Sequence, residues 1–293
     1  YVNKLPMAIS YPKNRIKVLL MENIHPKAVE FMREEGYTVE HIATSLTEEE
    51  LSEKIKDVSI LGIRSKTHIT EKVLQNANKL LAVGAFCIGT NQIDLEACMR
   101  RGVAVFNAPF SNTRSVVEMV IGEAIMLMRK IFERSVALHE GRWEKSAHDS
   151  FEIRGKKLGI IGYGNIGAQV SVLAEALGMQ VLYYDFQEKL ALGNAHKCKT
   201  MKELLRKSDI VTVHVDGNPL NEKLIGEKEF KAMKKGAILL NLSRGFVVDI
   251  KALRKNLENG KLKGAAIDVY PEEPKSNDES FQSELQGLPN VIL

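Results

Sequence analysis

Short apolar runs alternate with amphipathic stretches along almost the whole chain. In the first part, strand-like runs that are rich in β-branched and other apolar residues cover 16–21, 38–42, 59–63, 80–84 and 103–106. Apolar residues recur at helical spacing in the stretches between them, at 26–35, 47–56, 70–77 and 94–101. Because strands that alternate with helices pair in parallel beneath helical layers, this pattern predicts a doubly wound α/β domain.

The second part of the chain repeats this alternation. Its strand-like runs lie at 158–161, 180–184, 210–214, 237–241, 264–268 and 291–293. We therefore expect two α/β domains with parallel sheets, one formed by residues 1–110 and one by residues 111–293.

A long apolar-periodic stretch, 112–132, lies where the two series meet and predicts a helix that joins the domains. Ser111, Asn112 and Thr113 are candidate caps for it, and Ser115 with Glu118 has the spacing of a capping box.

A glycine-rich turn at 156–167 carries the most specific chemistry of the sequence. It follows a strand and opens a helix, with Gly162 for the tight turn, Gly164 for close approach of a pyrophosphate and Gly167 for close helix packing. The helix that starts near Asn165 directs free N–H groups and its positive dipole end at that pyrophosphate. Asp185, at the end of the next strand, is placed to accept the ribose hydroxyls. The motif predicts dinucleotide binding, and the alternative is a glycine turn of an ordinary α/β protein.

The composition fits an ordinary globular protein and excludes several classes. Of 293 residues, 44% are apolar and 27% charged, and 41 basic residues face 37 acidic ones in an interspersed pattern. This balance indicates neither nucleic-acid binding nor a membrane partner, and no apolar run approaches the ~20 residues of a membrane span. Three cysteines without paired spacing argue against a disulfide framework or a zinc site and favour the reducing cytoplasm. Residues 290–293 read as the opening of a buried strand, so we expect a piece of a longer protein.

Several segments together resemble one enzyme family. They are 62–68, 84–94, 107–115, 156–167, 241–245 and 265–274. On these segments the chain resembles the D-isomer-specific 2-hydroxyacid dehydrogenases, and the runs at 86–91 and 108–115 resemble the family members that act on phosphoglycerate.

The resemblance implies a flavodoxin-like substrate domain and a Rossmann NAD-binding domain. It also implies NAD-dependent oxidation of D-3-phosphoglycerate to 3-phosphohydroxypyruvate, the entry to serine synthesis. Another D-2-hydroxyacid dehydrogenase, such as a glyoxylate or hydroxypyruvate reductase, is the alternative enzyme. A non-enzymatic NAD-binding module is the alternative outside enzymes.

The same resemblance gives the catalytic residues. Arg244 matches the guanidinium that orients the substrate carboxylate and polarises the C2 oxygen. Glu273 matches the carboxylate that makes the acid/base histidine more basic, with the neighbouring Glu272 as its competitor. The histidine itself is expected just after residue 293. His214 matches a histidine that lines the cofactor site without carrying the proton.

The resemblance and the residues also indicate which positions contact the cofactor. The candidate cofactor-binding residues are Gly162, Gly164, Asn165, Ile166, Gly167, Asp185, His214, Leu242, Ser243, Arg244 and Asp268. Asp268 has a plain strand-end cap as its alternative. An acidic Asp185 with no arginine at 186–188 predicts NAD rather than NADP.

For the substrate we expect Arg64, Ser65, Lys66 and Asn112 as ligands, and no metal. Lys66 stands where an arginine is common in the family, and the alternative for the loop cations is that they are merely solvated. The resemblance further implies a homodimer through the NAD domain, with Trp143 as interface anchor or as domain cover, and a homotetramer for a longer protein.

Overall fold

The computed structural model of the chain describes residues 11–274 and 279–293. The chain forms two compact units, which divide between Ser111 and Asn112. Unit 1 precedes this point and unit 2 follows it. The assignment of 1–110 to the substrate and 111–293 to the cofactor remains a prediction.

Unit 1 is built on a five-stranded, wholly parallel sheet with the order β2-β1-β3-β4-β5. The strands are β1 (Lys17–Leu20), β2 (Thr38–His41), β3 (Ile60–Ile63), β4 (Ala82–Ala85) and β5 (Ala104–Asn107). In register, Leu19 lies beside Leu61 and Leu61 beside Val83, and all three are fully buried. This strand order is the flavodoxin-like one and confirms the expectation for the first part.

Helices connect successive strands of unit 1. They are α1 (Pro26–Glu34), α2 (Glu48–Lys54), α3 (Glu71–Gln75) and α4 (Leu95–Arg100). Side-chain caps define where they begin: Thr47 and Glu50 form a capping box on α2, and Asp94 accepts the N–H of Ala97 on α4.

Unit 2 holds a seven-stranded parallel sheet with the order β12-β11-β10-β9-β6-β7-β8. The strands are β6 (Lys157–Ile161), β7 (Gln180–Tyr184), β8 (His196–Lys197), β9 (Ile210–Val213), β10 (Ala237–Asn241), β11 (Leu262–Ile267) and β12 (Val291–Ile292). The order reverses between β6 and β9, which is the Rossmann arrangement with one further strand. The short edge strand β8 was not predicted, because its two polar residues carry no periodic signal.

The helices of unit 2 pack on both faces of this sheet. They are α5 (Thr113–Arg129), α6 (Ile131–His139), α7 (Asn165–Ala176), α8 (Met201–Lys207), α9 (Glu227–Ala232) and α10 (Ile250–Glu258). Alternate strand residues serve the two cores: Ile160 and Leu240 pack with α5 and α7, while Ile161 and Leu239 pack on the opposite face.

The long helix differs from its prediction in three ways. It ends at Arg129, where Lys130 adopts a left-handed conformation (φ +55°), and a separate helix follows. The helical spacing of apolar residues continues through the break, because both helices direct apolar residues toward the rest of unit 2. The capping box is wrong, since Glu118 is ion-paired with Arg114 at 2.7 Å and Ser115 lies inside the helix. The helix also lies wholly within unit 2, against α7 and β10.

All three cysteines are unpaired. Within residues 11–274 and 279–293, no helix is both long and apolar enough to cross a membrane.

Candidate functional site

Of the three glycines in the turn after β6, two are closely packed and one borders open space. A Cβ on Gly162, which has φ +92°, would lie 2.2 Å from the carbonyl oxygen of His214. A Cβ on Gly167 would lie 2.2 Å from the carbonyl oxygen of Gly162. At Gly164 a Cβ would meet no heavy atom within 4 Å. The first and third glycines are therefore required by packing, whereas Gly164 borders open space.

Helix α7 directs its N-terminus at that open space. Gly164 is its N-cap and supplies no capping hydrogen bond, and the first turn contains no acidic residue. The N–H groups and the positive end of the helix dipole are thus available to an anion. An uncapped helix start beside an open glycine fits the pyrophosphate of a dinucleotide.

Asp185 supports the turn from the end of β7. One carboxylate oxygen accepts the N–H of Tyr163 at 2.7 Å, and the other accepts the N–H of Gln187 at 2.9 Å. The carboxylate is half-buried and keeps acceptor capacity for a ribose diol. It therefore fixes the glycine turn, while its contact with an adenosine ribose remains a prediction.

Tyr163, between the first two glycines, is a residue that the sequence reasoning missed. Its hydroxyl and that of Ser171 on α7 lie 2.8 Å apart, and its ring stacks on that of Tyr183 with 3.9 Å between centroids. The side chain thereby joins the turn to α7 and β7. An aromatic at the variable position of the motif was the available signal.

Arg244 lies in the loop that follows β10, and Asn241 organises that loop. The fully buried Asn241 amide donates to the carbonyl of Arg244 at 3.0 Å and accepts the Ser243 hydroxyl at 2.8 Å. The half-buried Arg244 guanidinium donates to the carbonyl of Ser243 at 2.7 Å. Asn241 is thus a second missed residue, signalled only by its polar side chain at the end of a buried strand.

Glu273 lies in the neighbouring loop, after β11. A Cβ on Gly245 would lie 1.9 Å from the carbonyl carbon of Tyr270, so the two loops touch directly. The carboxylate of Glu273 accepts the N–H of Tyr270 at 3.3 Å. Packing therefore brings the loops of Arg244 and Glu273 together at one edge of the sheet.

The two competing carboxylates of this loop, Glu272 and Glu273, line different cavities. Glu273 lines a cavity of about 730 Å³ together with Asp268, Tyr270 and Phe281. Glu272 lines a different cavity, on the side of Asp249 and Lys251. Of the two carboxylates, only Glu273 shares a cavity with Asp268, and the choice of Glu273 over Glu272 remains a prediction.

His214 directly follows β9 and has a neutral ring. Its Nε2 lies 2.9 Å from the hydroxyl of Thr212, and its Nδ1 is buried without a hydrogen-bond partner. Burial lowers the pKa of His214 to about 4, so the ring is uncharged at pH 7. The carbonyl of His214 borders the glycine turn, and a polar group of a bound cofactor would give the orphaned nitrogen a partner.

Three further cofactor candidates, Leu242, Ile166 and Asn165, lie in the core or at the start of α7. Leu242 is 6% exposed in the core beneath α5 and α7, and Ile166 packs partly against the same core. Because these two side chains pack in the core, a cofactor contact at either residue remains a prediction that concerns its peptide group. Asn165 opens α7, so its N–H belongs to the uncapped first turn.

Glu123 on α5 is a third residue that the sequence reasoning missed. Its Oε2 is buried without a hydrogen-bond partner. Burial first, and the charge of Asp268 second, raise the pKa of Glu123 to about 7. Burial and the charge of Glu273 likewise raise the pKa of Asp268. Several acidic groups therefore lie near the carboxyl end of β11, and each disfavours the ionisation of its neighbour.

Replacing Glu123 with glutamine should stabilise the chain at alkaline pH. A carboxyl whose pKa is higher when folded holds its proton more tightly in the folded state. Its contribution is therefore favourable below the ordinary pKa of 4.5 and is lost as pH rises through about 7. After allowance for its partial exposure, we expect E123Q to exceed the parent chain by about 2 kcal/mol at pH 8 and to match it near pH 4.

Urea unfolding at several pH values measures this difference. The control is E118Q on the same helix, because Glu118 is exposed and paired with Arg114. It should change stability by less than about 0.5 kcal/mol at each pH. Equal pH profiles for E123Q and the parent chain would contradict the assignment of this carboxyl.

The substrate candidates of unit 1 lie in the loop after β3. Arg64, Ser65 and Lys66 all have exposed side chains there. Asn112 belongs to unit 2, where it is the exposed N-cap residue of α5 and makes no side-chain capping bond. The two loop cations follow the carboxyl end of a parallel strand, which is where ligands bind in open α/β sheets. In the described parts of the chain, no group of three or more His, Cys, Asp or Glu residues could hold a metal ion.

Comparison with known proteins finds relatives over nearly the whole chain. Residues 121–293 match the family model described as D-isomer specific 2-hydroxyacid dehydrogenase, NAD binding domain. A protein of Dictyostelium discoideum named D-3-phosphoglycerate dehydrogenase is 55% identical over 284 residues, which cover 97% of this chain and 70% of the relative. A protein of the same name from Escherichia coli (strain K12) is 52% identical over 286 residues, with coverage of 97% and 70%.

Solved structures show the same fold. The TT0316 protein from Thermus thermophilus superposes with a TM-score of 0.84 at 30% identity, covering 94% of this chain and 88% of that one. The D-lactate dehydrogenase from Aquifex aeolicus, complexed with NAD and lactic acid, has a TM-score of 0.80 at 24% identity, with coverage of 94% and 86%. The second likeness concerns the fold alone.

Proposed function

The chain belongs to the D-isomer specific 2-hydroxyacid dehydrogenase family, and from that premise we propose that its protein oxidises D-3-phosphoglycerate to 3-phosphohydroxypyruvate with NAD. The observation that carries the proposal is the loop pair of Arg244 and Glu273 at the same sheet edge as the glycine turn. The names of the relatives at 52–55% identity support the substrate. The chain spans about 70% of the length of these relatives, so the activity is proposed for the whole protein.

The two nucleotides of the cofactor bind on either side of the point between β6 and β9 where the strand order of the unit 2 sheet reverses. Asp185 follows β7 and marks the adenosine half, so the other half lies over β9, β10 and β11. Arg244 follows β10, and Glu273 lies in the loop after β11. The bound NAD supplies the hydride acceptor of the reaction. The catalytic candidates therefore lie on the nicotinamide side of the site.

Arg244 orients the substrate in this proposal. Its guanidinium is permanently charged and planar, which suits a carboxylate and the neighbouring C2 oxygen. The Asn241 amide holds the carbonyl of Arg244, and the Ser243 carbonyl holds its guanidinium. These bonds limit the conformations of the side chain before substrate arrives, which lowers the entropy lost on binding.

Glu273 serves the proton transfer. A carboxylate hydrogen-bonded to an imidazole fixes its tautomer and stabilises the imidazolium that forms when the C2 hydroxyl loses its proton. The family resemblance assigns a histidine imidazole to this carboxylate as its partner. His214 is unsuited to the task, because burial keeps its ring neutral at pH 7.

Arg64, Ser65 and Lys66 are proposed to bind the phosphate group of the substrate. Replacing both cations (R64A/K66A) should raise the KM for D-3-phosphoglycerate about 30-fold or more and leave the KM for unphosphorylated 2-hydroxy acids within about threefold. The reason is that each cation adds a charge-assisted contact only to the phosphorylated substrate. NADH formation by the full-length gene product, followed at 340 nm, measures both constants.

The matched control is the exposed pair of R33A and K27A in unit 1, which should leave both KM values unchanged. Turnover of D-glycerate or glycolate with no turnover of phosphoglycerate would instead indicate a glyoxylate or hydroxypyruvate reductase. NADH binding with no turnover of any hydroxy acid would indicate a non-enzymatic module.

We further propose a cytoplasmic homodimer formed by unit 2. Large apolar side chains are exposed on α5, α6 and the following loop. They are Met119, Ile131, Phe132, Val136, Leu138, Trp143 and Phe151. Trp143 is 79% exposed and does not cover unit 2, which supports its role as an interface anchor. The unpaired cysteines support a reducing compartment.

A further inference from the structure

The loop that carries Arg64, Ser65 and Lys66 is held by a buried carboxylate from the turn after β1. Glu22 lies two residues after the end of β1 and is only 7% exposed. Its Oε2 accepts the N–H of Lys66 at 2.9 Å, and its Oε1 accepts the N–H of Thr67 at 2.8 Å. A single side chain thus receives two consecutive peptide N–H groups of the loop.

The backbone around Glu22 is unusual. Glu22 and Asn23 have φ values of +59° and +53°, two consecutive residues other than glycine in the left-handed region. The N–H of Glu22 donates to the carbonyl of Thr44 at 3.3 Å. Such a conformation persists only when the surroundings determine it, and it concentrates where ligands are held. Here it accompanies the placement of a carboxylate beneath the neighbouring loop.

A second buried side chain holds the same loop from its other end. Gln92 is 4% exposed, and its amide donates to the carbonyl of Arg64 at 2.8 Å and to the carbonyl of Gly89 at 3.3 Å. The peptide groups at both ends of the loop are therefore fixed from inside unit 1. The side chains of Arg64 and Lys66 stay exposed to solvent.

The Glu22 carboxylate is charged at neutral pH. Burial by itself would raise its pKa, but hydrogen bonds from Thr67, Lys66 and Arg64 outweigh burial and lower the pKa of Glu22. Hydrogen bonds to a charged acceptor are about twice as strong as neutral ones. The buried negative charge also lies beneath a loop with two cationic side chains.

We propose that Glu22 is a positioning residue for substrate recognition, whose carboxylate sets the conformation of the 64–67 loop so that Arg64 and Lys66 bind a phosphate group. The inference rests on the proposed function, because it needs the loop to bind the substrate phosphate. Glu22 itself touches no substrate and acts through the peptide groups of the loop.

The test compares the full-length gene product with its E22Q variant, which keeps the shape of the side chain but replaces one of the two accepting oxygens with an amide NH₂ that opposes an N–H donor. Calorimetric titration in the presence of NADH should show the Kd for D-3-phosphoglycerate rising about tenfold, while the Kd for D-glycerate and for NADH stays within about twofold. The control is E30Q, because Glu30 is exposed on α1 of the same unit. It should leave all three constants unchanged.

A measurement on the parent chain keeps the inference testable if E22Q fails to fold. Amide hydrogen exchange at Lys66 and Thr67 should be at least about 100-fold slower than in an unstructured peptide at pH 7, although both lie in a loop. Exchange at the unstructured rate would overturn the inference. So would equal weakening of D-3-phosphoglycerate and D-glycerate, or an unchanged phosphoglycerate Kd in folded E22Q. Failure of the full-length gene product to bind phosphoglycerate would overturn the proposed function, and the role of Glu22 with it.

Discussion

Replacing Gly162 with alanine should destabilise unit 2 by about 3 kcal/mol or more and weaken NADH binding at least about 100-fold. A Cβ at this position would lie 2.2 Å from the carbonyl oxygen of His214, and the backbone has φ +92°. The clash involves backbone on both sides, so no side-chain rotation relieves it. The turn must move away from β9, and the N-terminus of α7 moves with it. Thermal unfolding and fluorescence titration with NADH measure the two effects.

Gly164 provides the matched control for that substitution. A Cβ there meets no heavy atom within 4 Å, and the residue has an ordinary negative φ of −85°. G164A should therefore keep the stability of the parent chain within about 0.5 kcal/mol and still weaken NADH binding about tenfold, because the added methyl occupies space proposed for the pyrophosphate. If G164A binds NADH as the parent chain does, the pyrophosphate does not lie against this glycine. If G162A folds and binds normally, the turn is not as tight as described.

The second large effect concerns the choice between NAD and NADP. The chain should bind NADH about 100-fold or more tightly than NADPH, because the carboxylate of Asp185 accepts hydrogen bonds from a ribose diol and repels a 2′-phosphate. No arginine follows at 186–188 to offset that repulsion. Parallel titrations with the two cofactors at one ionic strength give the ratio. Comparable affinities would contradict the prediction.

The structure further predicts that D185S does not simply change the cofactor preference from NAD to NADP. The Asp185 carboxylate also accepts the N–H of Tyr163 at 2.7 Å. Removing the carboxylate removes its repulsion of a 2′-phosphate, but it also loosens the glycine turn. We therefore expect D185S to lose NADH affinity without reaching the affinity for NADPH that the parent chain has for NADH. E188Q is the control, since Glu188 is exposed and pairs with Lys197. NADPH bound by D185S as tightly as NADH is bound by the parent chain would show that Asp185 has no part in holding the turn.

Where the sequence reasoning succeeded, the signal was local. Most strands of both series were placed to within a few residues because apolar residues occupy consecutive positions in them, as in β10 (Ala237–Asn241), which is buried throughout. Parallel pairing followed from the alternation of strands and helices. The glycine turn was identified because three glycines, a strand and a helix occur within one short stretch.

Where it failed, the determining contact was distant along the chain. Nothing near Lys130 distinguishes a left-handed helix end from a continuing helix, because the residues on both sides remain apolar at helical spacing. Glu123 looked like an ordinary polar position of α5 until packing against β11 brought it under the influence of Asp268, some 145 residues later. Glu22 likewise depends on a loop 44 residues away.

The sequence by itself determined the class of this protein, its two parallel sheets and the position of its dinucleotide motif, because apolar periodicity and turn residues act within a few positions. Only the tertiary structure decided which polar groups are buried and what they hold. Asn241 fixes the Arg244 loop and Asp185 fixes the glycine turn, while Glu22 and Gln92 fix the loop of Arg64 and Lys66. A buried polar group must find its hydrogen-bond partner wherever the fold places one. The strand order places those partners, and it is set by long-range pairing.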